Sequence, residues 1–584
     1  MQQFFRTFLA ALLALFFFFI LSFFLILGII GGATAKTSQP IPSNAVLVLD
    51  LSKTYMEQPK MELSQALLER DNKEIPSLYS VIQSIRKAKF DDKIKGIFII
   101  ANENTNGMAS SQEIRNALLE FKSSNKFIIA HGDIMTQSAY SIANIAQKIY
   151  VSPEGSFEWK GFGVSYMFFK GLIDKMQIKP QIFYAGKFKS ATEPFRVEKM
   201  TDENKLQTKS WLDDIYQLFI YQTAVARKLD SSALMAWANQ GKVDEPKMAV
   251  ELKLIDGVKY NDEVRNEISK SLQLKAAEKI NFVAIDEYAG NASKVQKSQD
   301  KIALLYANGD IIDGKGETDQ IGSQTYIELL RKAREDESVK AIVVRVNSGG
   351  GSALASDNIH REMSLAKAKK PLIVSFGDVA ASGGYYMSCN ADSIFAQPNT
   401  ITGSIGVFGI VPDFSVFMKN KLGITTDEVS TGPLGNAMSV TKPMNEMEKK
   451  MIQKSIENIY SRFKKLVSEG RNKDTTYVES IAQGRVWSGV KAKEIGLVDA
   501  LGGLNEAIQA AAKKAKLNNY ELIEFPKKKS LIEQVLGLKL EPDANVAVRK
   551  TLGETQYYIY QQLKSVQEMS NIPQTKIPFE FRIH

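Results

Sequence analysis

Ser375-Phe-Gly-Asp-Val-Ala-Ala-Ser382-Gly383-Gly384-Tyr-Tyr-Met-Ser-Cys389 is the stretch on which the reading of this chain turns. An apolar run at 371–374 leads into it as a strand, and small residues open a predicted helix over 384–391. A serine at a strand-to-helix corner is presented to substrate beside backbone N–H groups that can hold an oxyanion. Taken alone, Ala-Ser-Gly-Gly describes a closely packed helix equally well. The rest of the chain decides.

Just upstream, Asn347-Ser-Gly-Gly-Gly351 is a glycine turn after a predicted strand at 341–346. Asp336-Glu-Ser-Val-Lys340 precedes that strand, as Asp91-Asp-Lys-Ile-Lys95 precedes another at 96–100, 245 positions earlier. The same offset pairs Gly132-Asp133 with Gly377-Asp378, Tyr140 with Tyr385, and Ala146 with Ala391. It drops to 243 for Gly163-Val164 with Gly406-Val407, Gln240-Gly241 with Gln483-Gly484, and Ala249…Asp256 with Ala492…Asp499. Chance does not hold a register over so many landmarks, so the chain contains two homologous domains. In each, short β-branched runs alternate with amphipathic stretches such as 111–121 and 354–366. That alternation predicts an α/β fold of parallel strands and crossover helices. The expected organisation is an N-terminal segment 1–36, a first copy 45–287, a second copy 301–525 and a tail 526–584. A polar, lysine-rich linker is expected over 288–300, and one helical stretch in the tail near 545–569.

A duplication shows what each copy lacks. The position matching Ser382 in the first copy is Gln137, and the glycine turn is replaced by Asn102-Glu-Asn-Thr-Asn106-Gly107. Conversely, the first copy carries Ala185-Gly186-Lys187-Phe-Lys189-Ser-Ala-Thr-Glu-Pro-Phe195, whereas the matching Thr431-Gly432-Pro-Leu-Gly435-Asn-Ala437 has no lysine. Most lysines are solvated surface residues. A lysine among small and aromatic neighbours is instead partly desolvated, which lowers its pKa and frees the neutral amine to act as a base. Lys187 competes with Lys189 by proximity. Histidine is scarce: a serine–histidine–aspartate triad would have to use His131 or His360, and His584 is terminal.

Length and composition add bounds. With 584 residues the chain exceeds one core. The net charge of +9, from 74 basic and 65 acidic residues, is a small excess whose tight cluster is Lys527-Lys528-Lys529. It suits an anionic membrane surface and lacks the aromatic-interleaved basic patch of a nucleic-acid binder. Cys389 is the single cysteine, so neither an intrachain disulfide nor a cysteine metal site is expected; no metal or other cofactor is called for. After Arg6, an uncharged run at 7–35 exceeds the ~7–15 apolar residues of a signal-peptide core and reaches the ~20 needed to span a bilayer. A retained anchor is expected, although Ala33-Thr-Ala35 fits a small-residue cleavage site.

Four motifs together carry a resemblance: Lys189-Ser-Ala-Thr-Glu-Pro-Phe195, Asn347-Ser-Gly-Gly-Gly-Ser352, Asp378-Val-Ala-Ala-Ser-Gly-Gly-Tyr-Tyr386 and Thr402-Gly-Ser-Ile-Gly-Val407. With the anchor, and through about Gly503, the chain resembles the long-form signal peptide peptidase A (protease IV) family. That family comprises serine–lysine peptidases of the ClpP/crotonase-like fold. The resemblance implies Ser382 as nucleophile, Lys189 as general base and Ser404 as the hydroxyl that orients the lysine. It implies Gly383 and Gly351 as oxyanion donors, with Gly350 the neighbouring alternative. It implies apolar peptide substrates, above all cleaved signal peptides, a homotetramer, and a single-pass protein of the bacterial inner membrane facing the periplasm. One departure stands out: Gly349 occupies a position where the family usually has proline. Two rival readings share the fold: a crotonase-type acyl-CoA enzyme and a catalytically silent membrane scaffold. Neither accounts for Ser382 and Lys189 being kept in opposite copies.

Overall fold

Strands rich in Ile, Val and Phe form the spine of each copy, as β-branched and aromatic side chains favour a sheet buried on both faces. The computed structural model describes residues 2–34, 40–58, 75–275, 278–292, 297–317, 319–527, 557 and 573–577. The first copy supplies β1 (Ala45–Asp50), β2 (Ile94–Ile100), β3 (Phe127–Met135), β4 (Lys148–Phe157), β5 (Gln181–Ala185), β6 (Gly257–Val258) and β7 (Asn281–Ala284). The second supplies β8 (Lys301–Asn308), β9 (Asp310–Ile312), β10 (Gln320–Gly322), β11 (Val339–Ser348), β12 (Gly350–Ser352), β13 (Leu372–Ala381) and β14 (Ser393–Ala396). It continues with β15 (Ile401–Gly403), β16 (Val407–Val411), β17 (Val486–Ser488), β18 (Ala500–Leu501) and β19 (Glu521–Phe525); β20 (Gln574–Lys576) comes from the tail.

The duplication is visible in the sheets. The first copy runs β6-β4-β3-β2-β1-β7, and the second repeats this order as β18-β14-β13-β11-β8-β19, all parallel. Side-chain contacts repeat as well. Tyr140 Oη donates to Leu254 O (2.6 Å), and Tyr385 Oη to Leu497 O (2.9 Å). Asp256 accepts from Ile149 N and pairs with Arg227; Asp499 accepts from Ile394 N and pairs with Arg471. The amphipathic stretches form the helices Met108–Lys122 and Ala353–Lys369. A third sheet, β10-β9-β12-β20-β16-β5, draws on both copies and the tail.

Three features differ from the sequence reading. First, β13 runs on to Ala381, beyond the apolar run at 371–374, because Val379, Ala380 and Ala381 find ladder partners in β15; the helix that follows is Gly383–Ser388, not 384–391. Second, the expected linker begins inside the helix Ile285–Ala292, whose Ile285, Tyr288 and Ala289 lie at helical spacing and are buried. Third, the tail contributes β20, while the helical stretch expected near 545–569 lies outside the described residues apart from 557.

Two polar contacts, one part-buried and one fully buried, lock the copies together. Asp378 accepts from Ala109 N (2.7 Å), Ser110 N (3.0 Å) and Ser110 Oγ (2.7 Å), capping the helix Met108–Lys122 of the first copy. Arg345, on β11, donates to Glu57 (2.8 Å) and Glu113 (2.6 Å) of the first copy and to Ser375 Oγ and Phe376 O of the second. At the N-terminus, the helix Gln2–Thr34 includes an exposed span, Gln3–Ser22, of mean hydropathy 2.4, long and apolar enough to cross a bilayer.

Candidate active site

Ser382 sits where β13 gives way to the helix Gly383–Ser388, with φ 53° and ψ −112°. A left-handed φ is strained for a serine, and such strain persists only where surrounding contacts over-determine it. Here Ser382 N donates to Gly403 O (2.8 Å), and its carbonyl accepts from Tyr386 N (2.7 Å). Ser404 also has a positive φ, 51°, fixed by its N–H donating to Arg485 O (2.7 Å). Both hydroxyls point to one place.

Lys189 reaches that place through the third sheet. β5 lies antiparallel to β16, with Ala185 opposite Val407, and so brings the first copy against the strand that follows Ser404. Gly186 turns the chain with φ +105°, and Phe188 N donates to Gln483 O (2.8 Å). Gly484 then allows a close approach, since a Cβ there would lie 2.7 Å from both the N and Cβ of Lys189. Gln207 completes the support: its Nε2 donates to Phe188 O and Ser190 Oγ, and its Oε1 accepts from Val486 N. The buried Glu193 accepts from Thr201 N and Asn204 Nδ2 at the start of the helix Asp202–Arg227.

The lysine amine lies 2.8 Å from Ser382 Oγ, 3.0 Å from Ser404 Oγ and 3.2 Å from Ser404 O. All three residues are buried, with Lys189 1% exposed and both serines 0%. Burial holds the Lys189 amine well below the ordinary lysine value of 10.5, because a desolvated ammonium is disfavoured. Lys187 behaves differently. It is exposed, with its ammonium over the Phe188 ring at 5.3 Å.

The glycine run lies against the same corner. Gly350 has φ +100°, and a Cβ there would fall 1.8 Å from Thr575 O and 2.7 Å from Gly383 N, so no other residue fits without displacement. The Gly350 N–H donates to Ser348 Oγ at 3.1 Å. Gly351 lies opposite Thr575 in the β12–β20 ladder. The two histidines open to a triad are elsewhere. His131 contacts Lys259 O and Ser152 Oγ in the first copy, and His360 packs edge-on against Tyr386. At the first copy's equivalent of the serine, Gln137 accepts from Lys160 N and lines a cavity of about 350 Å³ with Asn104, Arg115 and Glu158.

Gln207, Gly484 and Arg345 were not foreseen. Gln483-Gly484 stood out as a repeat landmark, but its role beneath the lysine depends on a pairing between copies that no local pattern encodes. Ser404→Ala is expected to lower kcat roughly 10- to 100-fold, about the worth of one buried hydrogen bond to the amine, with KM nearly unchanged. Steady-state kinetics on the purified variant check this.

A serine hydroxyl 2.8 Å from a buried amine whose pKa burial lowers marks the molecule first as a serine hydrolase by chemistry. Two segments, residues 120–275 and 364–518, match the family model described as Peptidase family S49. Protease 4 of Salmonella typhi is 34% identical over 510 residues, covering 85% of this chain and 82% of that protein. Protease 4 of Haemophilus influenzae is 34% identical over 494 residues (82% and 80%), and the chloroplastic serine protease SPPA of Arabidopsis thaliana 32% over 511 (85% and 74%). The chain belongs to peptidase family S49 and is a serine protease. The matched segments fall one in each copy, so the tandem α/β fold and the resemblance read from the sequence both hold.

Proposed function

We propose that the chain is a membrane-anchored endopeptidase that degrades cleaved signal peptides and other apolar peptides with Ser382 and Lys189 as a catalytic dyad. The observation that carries this reading is the 2.8 Å contact between Lys189 Nζ and Ser382 Oγ, with the amine buried and its pKa lowered. Neutral Lys189 takes the Ser382 proton as Oγ attacks the scissile carbonyl carbon. The N–H groups of Gly351 and Gly383 hold the oxyanion, with Gly350 the neighbouring alternative. Collapse breaks the C–N bond, and Lys189 passes its proton to the leaving amine. Water then attacks the acyl ester, giving a proton to Lys189, and Ser382 recovers its own on release of the carboxylate product. Ser404 orients the amine throughout.

The span Gln3–Ser22 serves as a single-pass anchor in the bacterial inner membrane, with both copies on the periplasmic side, where spent signal peptides are met. The family resemblance supports the peptide substrates and a homotetramer; no cofactor enters the mechanism. The test is hydrolysis of a fluorogenic apolar peptide by the detergent-solubilised chain, together with labelling by a serine-reactive probe. Cleavage and labelling are expected. A folded protein that does neither overturns this reading in favour of the scaffold, and turnover of an acyl-CoA in its place would favour the crotonase-type enzyme.

A further inference from the structure

β12 and β16 both belong to the site: one starts at Gly350, the other three residues after Ser404. They do not pair with each other. Between them runs β20, antiparallel to both, with Gly350, Gly351 and Ser352 opposite Lys576, Thr575 and Gln574, and Phe408 opposite Gln574. Two sheet edges one strand apart, flanking a nucleophile, are what an extended peptide needs to bind by strand addition. In this structure the slot is filled by the chain's own tail.

The fit is specific. Ile577 N donates to Gly349 O (2.8 Å), and Ala353 N to Pro573 O (3.1 Å). Thr575 Oγ1 donates to Gly351 O (3.1 Å), and Thr575 is fully buried. Lys576 pairs with Asp310 at 2.7 Å. A Cβ on Gly383 would meet Thr575 Oγ1 at 2.8 Å, so the tail lies directly on the residue after the nucleophile. With Ser382 at 0% exposure, no peptide reaches its hydroxyl while the site stays in this state. Gly349 is part of the fit, because any side chain there would place its Cβ 2.9 Å from Ile577 Cγ1.

Resting on the peptidase reading above, we propose that residues 573–577 are a built-in occupant of the substrate strand slot, and that Gly349 is the residue that admits them. The tail competes with substrate, and its departure opens the site. Tethering gives such a segment an effective concentration in the millimolar range, enough to hold a weak contact closed.

The experiment compares the full chain with Thr575→Arg, which cannot be buried in the slot, Lys576→Glu, which repels Asp310, and Gly349→Val, which meets Ile577. For the two tail variants KM for the fluorogenic apolar peptide is expected to fall at least about 5-fold with kcat retained. A capped synthetic peptide of residues 573–577, added to Thr575→Arg, is expected to raise KM back competitively. Unchanged KM in both folded tail variants, or lower kcat with no inhibition by the peptide, overturns the proposal and makes β20 a structural strand. A readout independent of turnover uses Ser382→Ala titrated with the same apolar peptide while amide exchange at 574–576 is followed. Loss of protection there supports displacement even if the parent proves inactive, which would count against the peptidase reading alone. Protection that persists at saturating peptide overturns the tail proposal whatever the activity. Gly349→Val is expected to lose exchange protection at 574–576 without added peptide; retained protection counts against its role in seating the tail.

Discussion

Lys189→Met and Ser382→Ala are each expected to lower kcat at least about 10³-fold on an apolar peptide, and the double variant little further, because base and nucleophile act as a unit. Lys189→Arg is expected to be equally inactive at every pH, since a guanidinium does not deprotonate. The parent's pH profile supplies the sign. Only the neutral amine accepts the serine proton, so kcat/KM rises with pH through the lysine pKa and then levels off. Burial holds that pKa well below 10.5, which places the plateau below the range of an exposed lysine. An activity that keeps rising to the ordinary lysine value would argue against Lys189 as the base. Stability carries the same signature. Between the depressed folded value and 10.5 the unfolded chain binds more protons at this residue, so folding stability increases with pH across that window and falls as the amine must be kept neutral at lower pH. The thermal midpoint of the parent is therefore expected to gain on that of Lys189→Met as pH rises through the window. A difference that does not change with pH would mean that the folded-state pKa is not depressed.

The two residues proposed as the dyad stood out because the chain is its own comparison. Gln137 against Ser382, and a lysine-free stretch against Lys189, mark what each copy has given up. That the strands run parallel was legible for the same reason, from β-branched runs and helical periodicity repeated at a near-constant offset. Contacts made across the copies were not. β5 pairs with β16, and Gly484 lies beneath Lys189, through meetings between residues hundreds of positions apart, to which local propensity is blind. Residues 288–292 were misread because a run of polar residues hid two apolar ones, Tyr288 and Ala289, that bury one helical face. The tail strand gave no signal at all: Gln574-Thr575-Lys576 reads as a solvated segment, and it becomes a strand because two unpaired edges await it.

Arg345→Met is expected to cost about 3–5 kcal/mol, one of the largest stability losses available to a single substitution here, because it strands two buried carboxylates. Arg345 is 1% exposed, and Glu57 and Glu113 are each 5% exposed. Burial opposes its charge, but Glu113 and then Glu57 beside it hold the guanidinium above the usual arginine range. One cation thus ties the first copy to β11, two residues before Asn347 and the glycine run. Glu113 is fixed from a third side by Leu504 N at 3.1 Å, so the loss is not relieved by rotation of its side chain. Replacing all three together, as Arg345→Met with Glu57→Leu and Glu113→Leu, removes the stranded charges and is expected to recover most of the stability. Thermal and urea midpoints of the single and triple variants check this. The two are also expected to separate in activity: the single variant loses kcat as well as stability, because β12, which carries Gly350 and Gly351, follows directly on this strand, whereas the triple variant regains turnover with the fold. A single variant as stable as the parent would mean that the copies are held together by their apolar contacts and the Asp378 cap, with the ion cluster a passenger.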